Sequence, residues 1–561
     1  MHSKFARVII DRAIRRELDY AIPEPLSARV GIGARVRVPF RDRRALATVV
    51  ALLEETNAKG IREIEAVIGE GPTLSEPLLE LARWIASYYC CPIEAVMRSL
   101  LPQVIRRAEV GWKKQQFVEI GSIVTNETME ALRRRAPRQA ELLEELTKVN
   151  AAVPAAEILR RLSLNVSTVR ALAKRGLLKI SERAVARDPH AGEQFIPGPE
   201  LLLNEEQTAA FATIVRAISS PEKAKPILLH GVTGSGKTEI YLQAIRETLA
   251  RNRTAMVLVP EISLTPQTVE RFKSRFAESQ DDVAVLHSHL SEGERHDEWH
   301  KVHSGRARIV IGARSAVFAP LKNLGLIVVD EEHETSYKQE EAPRYHARDV
   351  AVVRAKIEKC VVLLGSATPS LESYYNALTK KYELATLTQR VDNCQMPLIR
   401  VIDLRQEQRS ERAPILSERL RSAISARVAK REQTILFLNR RGFSTSLLCS
   451  KCGKARDCPN CSVALTFHRS MSRLNCHLCG HTAAVPKKCP ECAQDALIYV
   501  GFGTEKVEST VAQIFPNAVV KRMDADSMTR KLDRGRKRGV ALHENFSGRF
   551  ASTGASRHLG K

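Results

Sequence analysis

The chain has 561 residues, too many for a single hydrophobic core, and this length predicts several domains. Lysine and arginine number 87 against 64 aspartates and glutamates, and the net charge of +23 favours a polyanionic partner such as nucleic acid over a merely soluble basic surface. No apolar run is long enough to span a membrane, and the first residues lack the apolar core of a signal peptide. We therefore expect a cytoplasmic protein without a membrane partner, in which disulfides are rare.

Residues 1–105 predict a small β-rich domain that ends in an amphipathic helix around Leu78–Tyr89. Its strand-like runs are Phe5–Ile10, Ala34–Val38 and Ala45–Leu52.

Residues 106–185 predict helices followed by a short strand at Gly176–Ile180. The helices are expected at Arg138–Val149, Ala155–Leu162 and Ser167–Arg175. Helix, tight turn, helix and strand is the order of a winged helix, although a plain helical connector has the same pattern.

From residue 204 the chain alternates short apolar runs with helical stretches, which indicates a parallel sheet covered by helices on both faces. A Pro- and Gly-containing linker at 186–203 precedes this first lobe, which extends over residues 204–400. The predicted strands are Ile227–Leu229, Ala255–Val259, Arg308–Ile311, Leu326–Val329 and Val361–Leu364. Three further runs predict a second such sheet in residues 401–529, interrupted by a cysteine-rich module at 445–495; they are Ile435–Leu438, Leu497–Val500 and Ala518–Lys521. Residues 530–561 are basic and without periodicity, which predicts an unpacked tail.

A phosphate-binding loop follows the first of these strands and opens a predicted helix, as the motif G-x-x-x-x-G-K-[ST] requires. Backbone N–H groups of its glycine-rich turn would hold the β-phosphate of ATP. Lys237 would neutralise phosphate oxygens, and the Thr238 hydroxyl would hold Mg²⁺. The predicted ATP-binding residues are Gly231, Val232, Thr233, Gly234, Ser235, Gly236, Lys237 and Thr238.

The sequence Asp330-Glu331-Glu332-His333 follows another buried strand. Parallel strands end at one edge of the sheet, so Asp330 is expected to reach the metal beside the phosphate-binding loop. Glu331 would orient and polarise the attacking water. Gly365-Ser366-Ala367-Thr368 ends a third strand and is suited to relay a change at the γ-phosphate toward nucleic acid.

The loop after the acidic residues mixes aromatic and basic side chains and is a candidate for coupling to single-stranded DNA. Nucleobases stack on aromatic rings and phosphates pair with cations. An ordinary solvated loop is the alternative. The candidate contacts are Tyr337, Lys338, Arg344 and Tyr345.

Eight cysteines form four Cys-x-x-Cys pairs, enough for two tetrahedral all-thiolate zinc sites. Thiol exchange is the alternative use of such pairs, but four of them in so short a segment favour structural zinc. The pairs are Cys449/Cys452, Cys458/Cys461, Cys476/Cys479 and Cys489/Cys492.

Taken together, these segments resemble the PriA family of bacterial replication-restart helicases. The similar segments are GVTGSGKTEIY, LVPEISLTPQ, DEEHETSYKQ, PRYHARDVAVVRA, GSATPSLES, NRRGFS and the cysteine spacing C-x2-C-x5-C-x2-C-x14-C-x2-C-x9-C-x2-C. The resemblance implies a multidomain α/β superfamily 2 helicase that moves 3′ to 5′, with two RecA-like P-loop NTPase lobes and a zinc-binding insertion. It also implies that residues 1–105 bind the 3′ end of a nascent strand and that a winged helix follows. The implied partners are branched and single-stranded DNA, primosome and replisome-loading proteins and single-strand DNA-binding protein.

The resemblance further implies a zinc pairing that spacing alone leaves open. One Zn²⁺ would take Cys449, Cys452, Cys489 and Cys492, and the other would take Cys458, Cys461, Cys476 and Cys479.

The resemblance ends near Asp526, and the later motifs of the second lobe, including the segment with the arginine finger, are not found. We expect from this an apparently truncated chain whose second lobe is incomplete. It would bind ATP but hydrolyse it and unwind DNA weakly, because nothing in cis would stabilise the transition-state charge. A fork-binding chain without motor activity is one alternative. An unrelated P-loop enzyme with a zinc ribbon, such as a kinase, is another, against which the motif order and basic charge argue.

Overall fold

The structure is a computed structural model, and it describes most of the chain in two compact units, Met1–Cys394 and Gln395–Lys561. The residues described are 4–11, 14, 16–69, 71–107, 113–121, 124–149, 151–185, 187, 197–276, 282–288, 290–391, 398–403, 416–438, 445–461, 463–468, 473–476, 479–500, 504–523 and 540–544. Within them, no helix combines the length and the apolarity needed to cross a bilayer.

The first unit begins with a five-stranded antiparallel sheet in the order β2-β1-β4-β3-β5. Its strands are β1 (Phe5–Ile10), β2 (Leu18–Ala21), β3 (Arg35–Phe40), β4 (Arg43–Leu53) and β5 (Ala66–Ile68). Alternate residues of β3 face inward, so Val36 and Val38 are buried while Arg37 is exposed. The predicted β-rich N-terminal region is confirmed.

Three helices follow: α1 (Glu76–Tyr88), α2 (Ile93–Leu100) and α3 (Gln103–Arg107). Leu78, Leu81 and Ile85 recur at helical spacing on α1 and are fully buried. They pack in the same apolar core as Val329 and Val350 of the parallel-sheet region. The N-terminal region and the ATPase region are therefore joined by a continuous core.

Residues 113–185 have a small core of their own, which includes Leu143, Ile158 and Leu172. The elements are β6 (Lys113–Ile120), α4 (Asn126–Arg135), α5 (Pro137–Val149), β7 (Val153–Pro154), α6 (Ala155–Arg161), α7 (Val166–Lys174) and β8 (Leu178–Val185). The strands form a sheet in the order β7-β6-β8. The three predicted helices and the final strand are present within two residues of their expected starts.

A seven-stranded sheet in the order β11-β12-β10-β13-β14-β9-β15 forms the ATPase lobe, and every pair of neighbours is parallel. Its strands are β9 (Ile227–Gly231), β10 (Thr254–Leu258), β11 (Val283–Leu286), β12 (Ile309–Gly312), β13 (Leu324–Asp330), β14 (Val361–Ser366) and β15 (Glu383–Leu387). The helices are α8 (Glu205–Ser219), α9 (Lys237–Ala250), α10 (Pro266–Arg275), α11 (Glu292–Ser304), α12 (Ala347–Ile357) and α13 (Leu371–Leu378). The inner strands are nearly continuous apolar runs because both of their faces are covered. The predicted doubly covered parallel sheet is confirmed.

The second unit starts with α14 (Glu418–Ala429) and β16 (Ile435–Leu438), and it contains a five-stranded antiparallel sheet that carries the cysteines. The strands of this sheet, ordered β20-β19-β18-β17-β21, are β17 (Thr445–Cys449), β18 (Thr466–His468), β19 (Arg473–Asn475), β20 (Thr482–Ala484) and β21 (Leu497–Val500). The chain continues with α15 (Thr504–Ile514), β22 (Val520–Met523) and β23 (Val540–Glu544). Parallel strands in the order β16-β23-β22 form a separate sheet.

Two predictions for this unit are wrong. Leu497–Val500 does not join the parallel sheet but pairs antiparallel with Thr445–Cys449. These two strands enter and leave the cysteine module, so their pairing closes its base. Residues 530–561 were expected to be unpacked throughout, but Val540–Glu544 lies as a strand between Ile435–Leu438 and Val520–Met523. A run of only five residues, three of them apolar, is too short to show a period within a basic segment.

Candidate active site and metal centres

The phosphate-binding loop turns from β9 into α9 as predicted. Gly236, the residue before the helix, has φ +82°, and a Cβ there would lie 2.4 Å from Nε2 of Gln207. An L side chain is therefore excluded both by the backbone conformation and by the neighbour. Gln207 is itself fixed by a capping box with Asn204 at the start of α8, and its Nε2 donates to the Ser235 carbonyl at 2.9 Å. The turn is thus held in shape by the preceding helix.

Lys237 lies inside this turn, and only 3% of its surface is exposed. Its Nζ donates to the Gly231 carbonyl at 2.7 Å, across the opening of the loop. Thr238 follows in the first turn of α9 and is half-buried. A phosphate bound in the loop would lie at the N-terminus of α9. The Lys237 ammonium would then exchange its hydrogen bond to the Gly231 carbonyl for one to a phosphate oxygen.

Asp330 ends β13 at the same edge of the sheet. In the parallel register it lies opposite Gly365 of β14, and the next residue, Ser366, lies opposite His230 of β9. The Tyr241 hydroxyl on α9 donates to Oδ1 of Asp330 at 3.1 Å, one helical turn beyond Lys237. The structure therefore brings the phosphate-binding loop and the acidic strand end together. Glu331 has φ +45°, an uncommon conformation for a non-glycine residue that costs on the order of 1 kcal/mol.

Glu332 connects the acidic segment to the segment after β14. Its carboxylate is fully buried and accepts from the Ser370 N–H at 2.7 Å, from the hydroxyls of Ser370 at 3.0 Å and Ser373 at 2.8 Å, and from Arg348 at 3.1 Å. Four donors thus satisfy the oxygens of this buried carboxylate, as a buried polar group requires.

His333 makes the second connection. Its Nδ1 lies 2.7 Å from the Ser366 hydroxyl, and its Nε2 lies 3.4 Å from the Thr368 hydroxyl. The Ser366 hydroxyl also accepts from the Thr368 N–H at 3.0 Å. Glu332 and His333, which follow the acidic residues proposed to act on ATP, are thus hydrogen-bonded to the segment proposed to relay the change.

The loop expected to couple to DNA differs from the prediction because its two tyrosines are buried. Tyr337 and Tyr345 are 1% and 3% exposed, and burial raises the pKa of Tyr345 to about 12. Tyr337 donates its hydroxyl proton to the Asp330 carbonyl at 2.7 Å. In this conformation neither ring has a face open to a nucleobase. The prediction that these two tyrosines stack on DNA bases is therefore wrong. Lys338 and Arg344 are exposed, as a phosphate contact requires.

The eight clustered cysteines come together in two groups of four. In each group the sulfurs lie within 4.8 Å of one another, and the groups are Cys449/Cys452/Cys489/Cys492 and Cys458/Cys461/Cys476/Cys479. The Sγ–Sγ distances are 3.6 Å for Cys449 to Cys492, 3.7 Å for Cys452 to Cys489 and 3.6 Å for Cys458 to Cys479. A tetrahedron with zinc–sulfur bonds of about 2.3 Å has edges of about 3.8 Å, so both groups fit Zn²⁺. The arrangement agrees with the pairing that the family resemblance implied.

All four pairs share one backbone hydrogen bond. The N–H of the first cysteine donates to the carbonyl five residues later, as from Cys449 to Lys454 at 2.9 Å. In the three pairs for which the residue after the second cysteine is described, that residue is left-handed, with φ +74° at Gly453 and Gly480 and φ +57° at Ala493. Backbone N–H groups also approach the sulfurs, and that of His481 lowers the pKa of Cys479 to about 6. The side-chain hydrogen bond with Cys479, followed by burial, raises the pKa of Cys461 to about 12.

Several functional residues escaped the sequence prediction. Gln207 had a recognisable signal, since Asn204-Glu205-Glu206-Gln207 is a capping pattern before a helix. Tyr241, Glu332 and Arg348 lie in segments that resemble the family, but their contacts had no local signal, because their partners lie on other elements. The segment NRRGFS at residues 439–444 lies outside the described residues.

Comparison with known families agrees with this architecture. Residues 7–102 match the 3′DNA-binding domain of PriA, residues 204–377 match the DEAD/DEAH box helicases, and residues 458–483 match the Cys-rich region of PriA DNA helicases. The fold and the site define an ATP-hydrolysing DNA helicase with a DEAD/DEAH box lobe, a β-rich N-terminal DNA-binding domain and a zinc ribbon.

Individual relatives specify the family. The replication restart protein PriA of Bacillus subtilis is 40% identical over 94% of this chain and 73% of that protein. PriA of Haemophilus influenzae is 36% identical over 94% of this chain and 71% of that protein. The chain belongs to the PriA family of replication restart proteins. A solved structure of RecG bound to a three-way DNA junction is 14% identical over 97% of this chain and 63% of that chain, and its TM-score of 0.35 is too low to support an argument.

Proposed function

We propose that the chain recognises stalled or branched replication forks and unwinds them in the 3′-to-5′ direction with ATP hydrolysis, so that replication restarts. The observation that carries this proposal is that Lys237 and Asp330 lie at one edge of the parallel sheet, where the hydroxyl of Tyr241, on the same helix as Lys237, donates to Asp330. Beside them, Glu332 and His333 are hydrogen-bonded to the segment after β14. Membership of the PriA family and the excess of basic residues support DNA as the substrate.

In the proposed reaction Lys237 leaves the Gly231 carbonyl and neutralises β- and γ-phosphate oxygens. Thr238 and Asp330 offer a hydroxyl and a carboxylate, oxygen ligands that Mg²⁺ accepts. Bound Mg²⁺ would supply further neutralisation of the developing negative charge. Glu331 orients the attacking water and receives its proton.

The same network supplies a path from the nucleotide to DNA. A shift of Asp330 moves the residues that follow it. Of these, Glu332 is hydrogen-bonded to Ser370 and His333 to Ser366, so the shift reaches the end of β14 and the turn after it. Lys338 and Arg344 are proposed to contact the phosphates of the DNA strand.

The domain assignment is part of the proposal. Residues 1–105 would bind the 3′ end of a nascent strand, 106–185 would act as a winged helix, 186–203 as a linker, 204–400 as the first lobe and 401–529 as the second lobe with its zinc module. Partners would be primosome and replisome-loading proteins and single-strand DNA-binding protein, with the chain acting on chromosomal DNA in the cytoplasm. Family membership alone supports these protein partners.

Steady-state ATP hydrolysis with and without forked DNA tests the central claim. We expect DNA-stimulated hydrolysis from the unaltered chain and a loss of about a hundredfold or more in Lys237→Ala and Glu331→Gln. Glu334→Gln is the matched control, since it makes the same chemical change three residues later. Displacement from duplexes with a 3′ or a 5′ single-stranded extension reports the direction. Fork binding without hydrolysis would instead support the non-catalytic alternative.

A further inference from the structure

Tyr89, the half-buried residue directly after α1, contacts the ATPase lobe with its side chain. Its hydroxyl accepts a hydrogen bond from the backbone N–H of His346 at 3.1 Å. Its ring faces the Lys338 ammonium, which lies 5.2 Å from the ring centre. Trp84 and Tyr88 pack against it at ring-centre distances of 6.1 and 4.9 Å and hold it in place.

Both contacts fall at the base of one closed loop, residues 338–346. Lys338 and His346 pair as an antiparallel bridge, and the Gln339 N–H donates to the Tyr345 carbonyl at 2.8 Å. Tyr89 therefore spans the two chain segments where the loop begins and ends.

Two short routes lead from this base to the ATPase centre. On one side, Tyr337 precedes Lys338 and donates to the Asp330 carbonyl at 2.7 Å. On the other side, His346 is the N-cap of α12, and Arg348 in its first turn donates to Glu332 at 3.1 Å. A displacement of the loop base would thus reach both Asp330 and Glu332.

The apolar side chains of α1 pack directly against the residues that flank this loop. Leu81 and Ile85 of α1 belong to the same apolar core as Tyr337, Tyr345 and Val350. Closely packed cores transmit displacement because they contain few voids.

We propose that Tyr89 is a positioning residue that couples the occupancy of the 3′ DNA-binding domain to ATP hydrolysis. Binding of a 3′ DNA end shifts α1, and Tyr89 carries the shift to the loop base and from there to Asp330 and Glu332. This inference rests on the DNA-stimulated ATP hydrolysis of the proposed function.

The test compares Tyr89→Phe with Tyr88→Phe. Tyr89→Phe keeps the ring and removes the acceptor of the His346 N–H. Tyr88 is the matched control, because it is 63% exposed and its hydroxyl makes no hydrogen bond among the described residues. ATP hydrolysis is measured on a fork whose nascent strand ends in a 3′-hydroxyl at the junction and on the same fork without that strand.

We expect the nascent 3′ end to raise kcat in the unaltered chain and in Tyr88→Phe. In Tyr89→Phe the increase in kcat caused by the 3′ end should be about two- to tenfold smaller, which is the effect of losing one hydrogen bond. The KM for ATP and kcat on the fork without the end should stay unchanged, the melting temperature should fall by no more than about 2 °C, and amide hydrogen exchange should quicken in the peptide that contains His346. A purely structural role would instead lower kcat on both forks. An equal increment in Tyr89→Phe and the unaltered chain, or no increment in either, overturns the inference. Absence of hydrolysis on every DNA overturns the proposed function and the inference with it.

Discussion

Replacing Glu332 by glutamine perturbs the network that links the acidic segment to the next strand. One carboxylate oxygen accepts from the Ser370 N–H, and the other accepts from Arg348 and from two serine hydroxyls. Glutamine has one acceptor and one donor end. In either orientation its NH₂ group faces a donor that cannot turn away, the Ser370 N–H or the Arg348 guanidinium.

The expected loss of unfolding free energy follows from the burial of Glu332 and Arg348. Glu332 is 0% exposed and Arg348 is 9% exposed, and breaking such a buried pair costs about 3–5 kcal/mol. Arg348 keeps a second carboxylate partner, Asp349, at 2.9 Å, which places the expected loss near the lower end, about 3 kcal/mol. The unit Met1–Cys394 has an unfolding entropy of roughly 2.1 cal/mol/K per residue, so its melting temperature should fall by about 4 °C. Differential scanning calorimetry of the nucleotide-free chain measures this shift.

Glu334→Gln is the control, because no hydrogen bond or ion pair of its carboxylate is seen within the described ranges. It should change stability by less than about 0.5 kcal/mol. The double variant Glu332→Gln/Arg348→Met should lose less than the sum of the two single variants, since it leaves no buried charge unpaired. The reasoning is refuted if Glu332→Gln melts no lower than Glu334→Gln.

Three further predictions concern the metal centres and a half-buried histidine. The purified chain should contain two zinc ions by elemental analysis, and Cys449→Ser and Cys476→Ser should each lose one of them; a loss of both ions from either variant would contradict independent sites. Gly453→Ala should destabilise the zinc-loaded module by about 1 kcal/mol because φ is +74° there, and an unchanged melting curve would exclude that strain. Burial, followed by repulsion from neighbouring histidines, lowers the pKa of His300 from 6.5 to about 4. The unfolded chain therefore binds a proton that the folded chain does not, and stability should fall as pH falls from 6.5 toward 4. His300→Gln should reduce the difference between the urea midpoints at pH 7.5 and 5.0, and an unaltered difference would show that His300 does not contribute to it.

The parallel sheet was predictable because its strands are short, apolar and separated by helical stretches, a pattern that few folds share. The strand at Leu497–Val500 was located correctly but assigned to the wrong sheet. An apolar run of four residues is compatible with parallel or antiparallel neighbours, and only the proximity of the two ends of the cysteine module decided the pairing.

In the candidate site, too, residues in local motifs were predictable, and the burial of the aromatic side chains was not. Lys237, Thr238 and Asp330 lie in local motifs whose chemistry requires a fixed order of residues, and the structure places them at one edge of the sheet. The aromatic loop illustrates the limit, since a tyrosine that stacks on a base and a tyrosine that packs in a core have the same sequence signal. Burial of Tyr337 and Tyr345 is a property of the neighbouring helices and strands.

The sequence by itself located the candidate nucleotide and zinc sites, because phosphate loops and Cys-x-x-Cys turns are built from residues adjacent in the chain. The tertiary structure alone decided how these parts are connected. Glu332 meets Ser370, Tyr241 meets Asp330 and Tyr89 meets His346 only after the parallel strands and their helices have packed. Contacts between residues distant in sequence depend on the register and packing of whole elements, which no local pattern specifies.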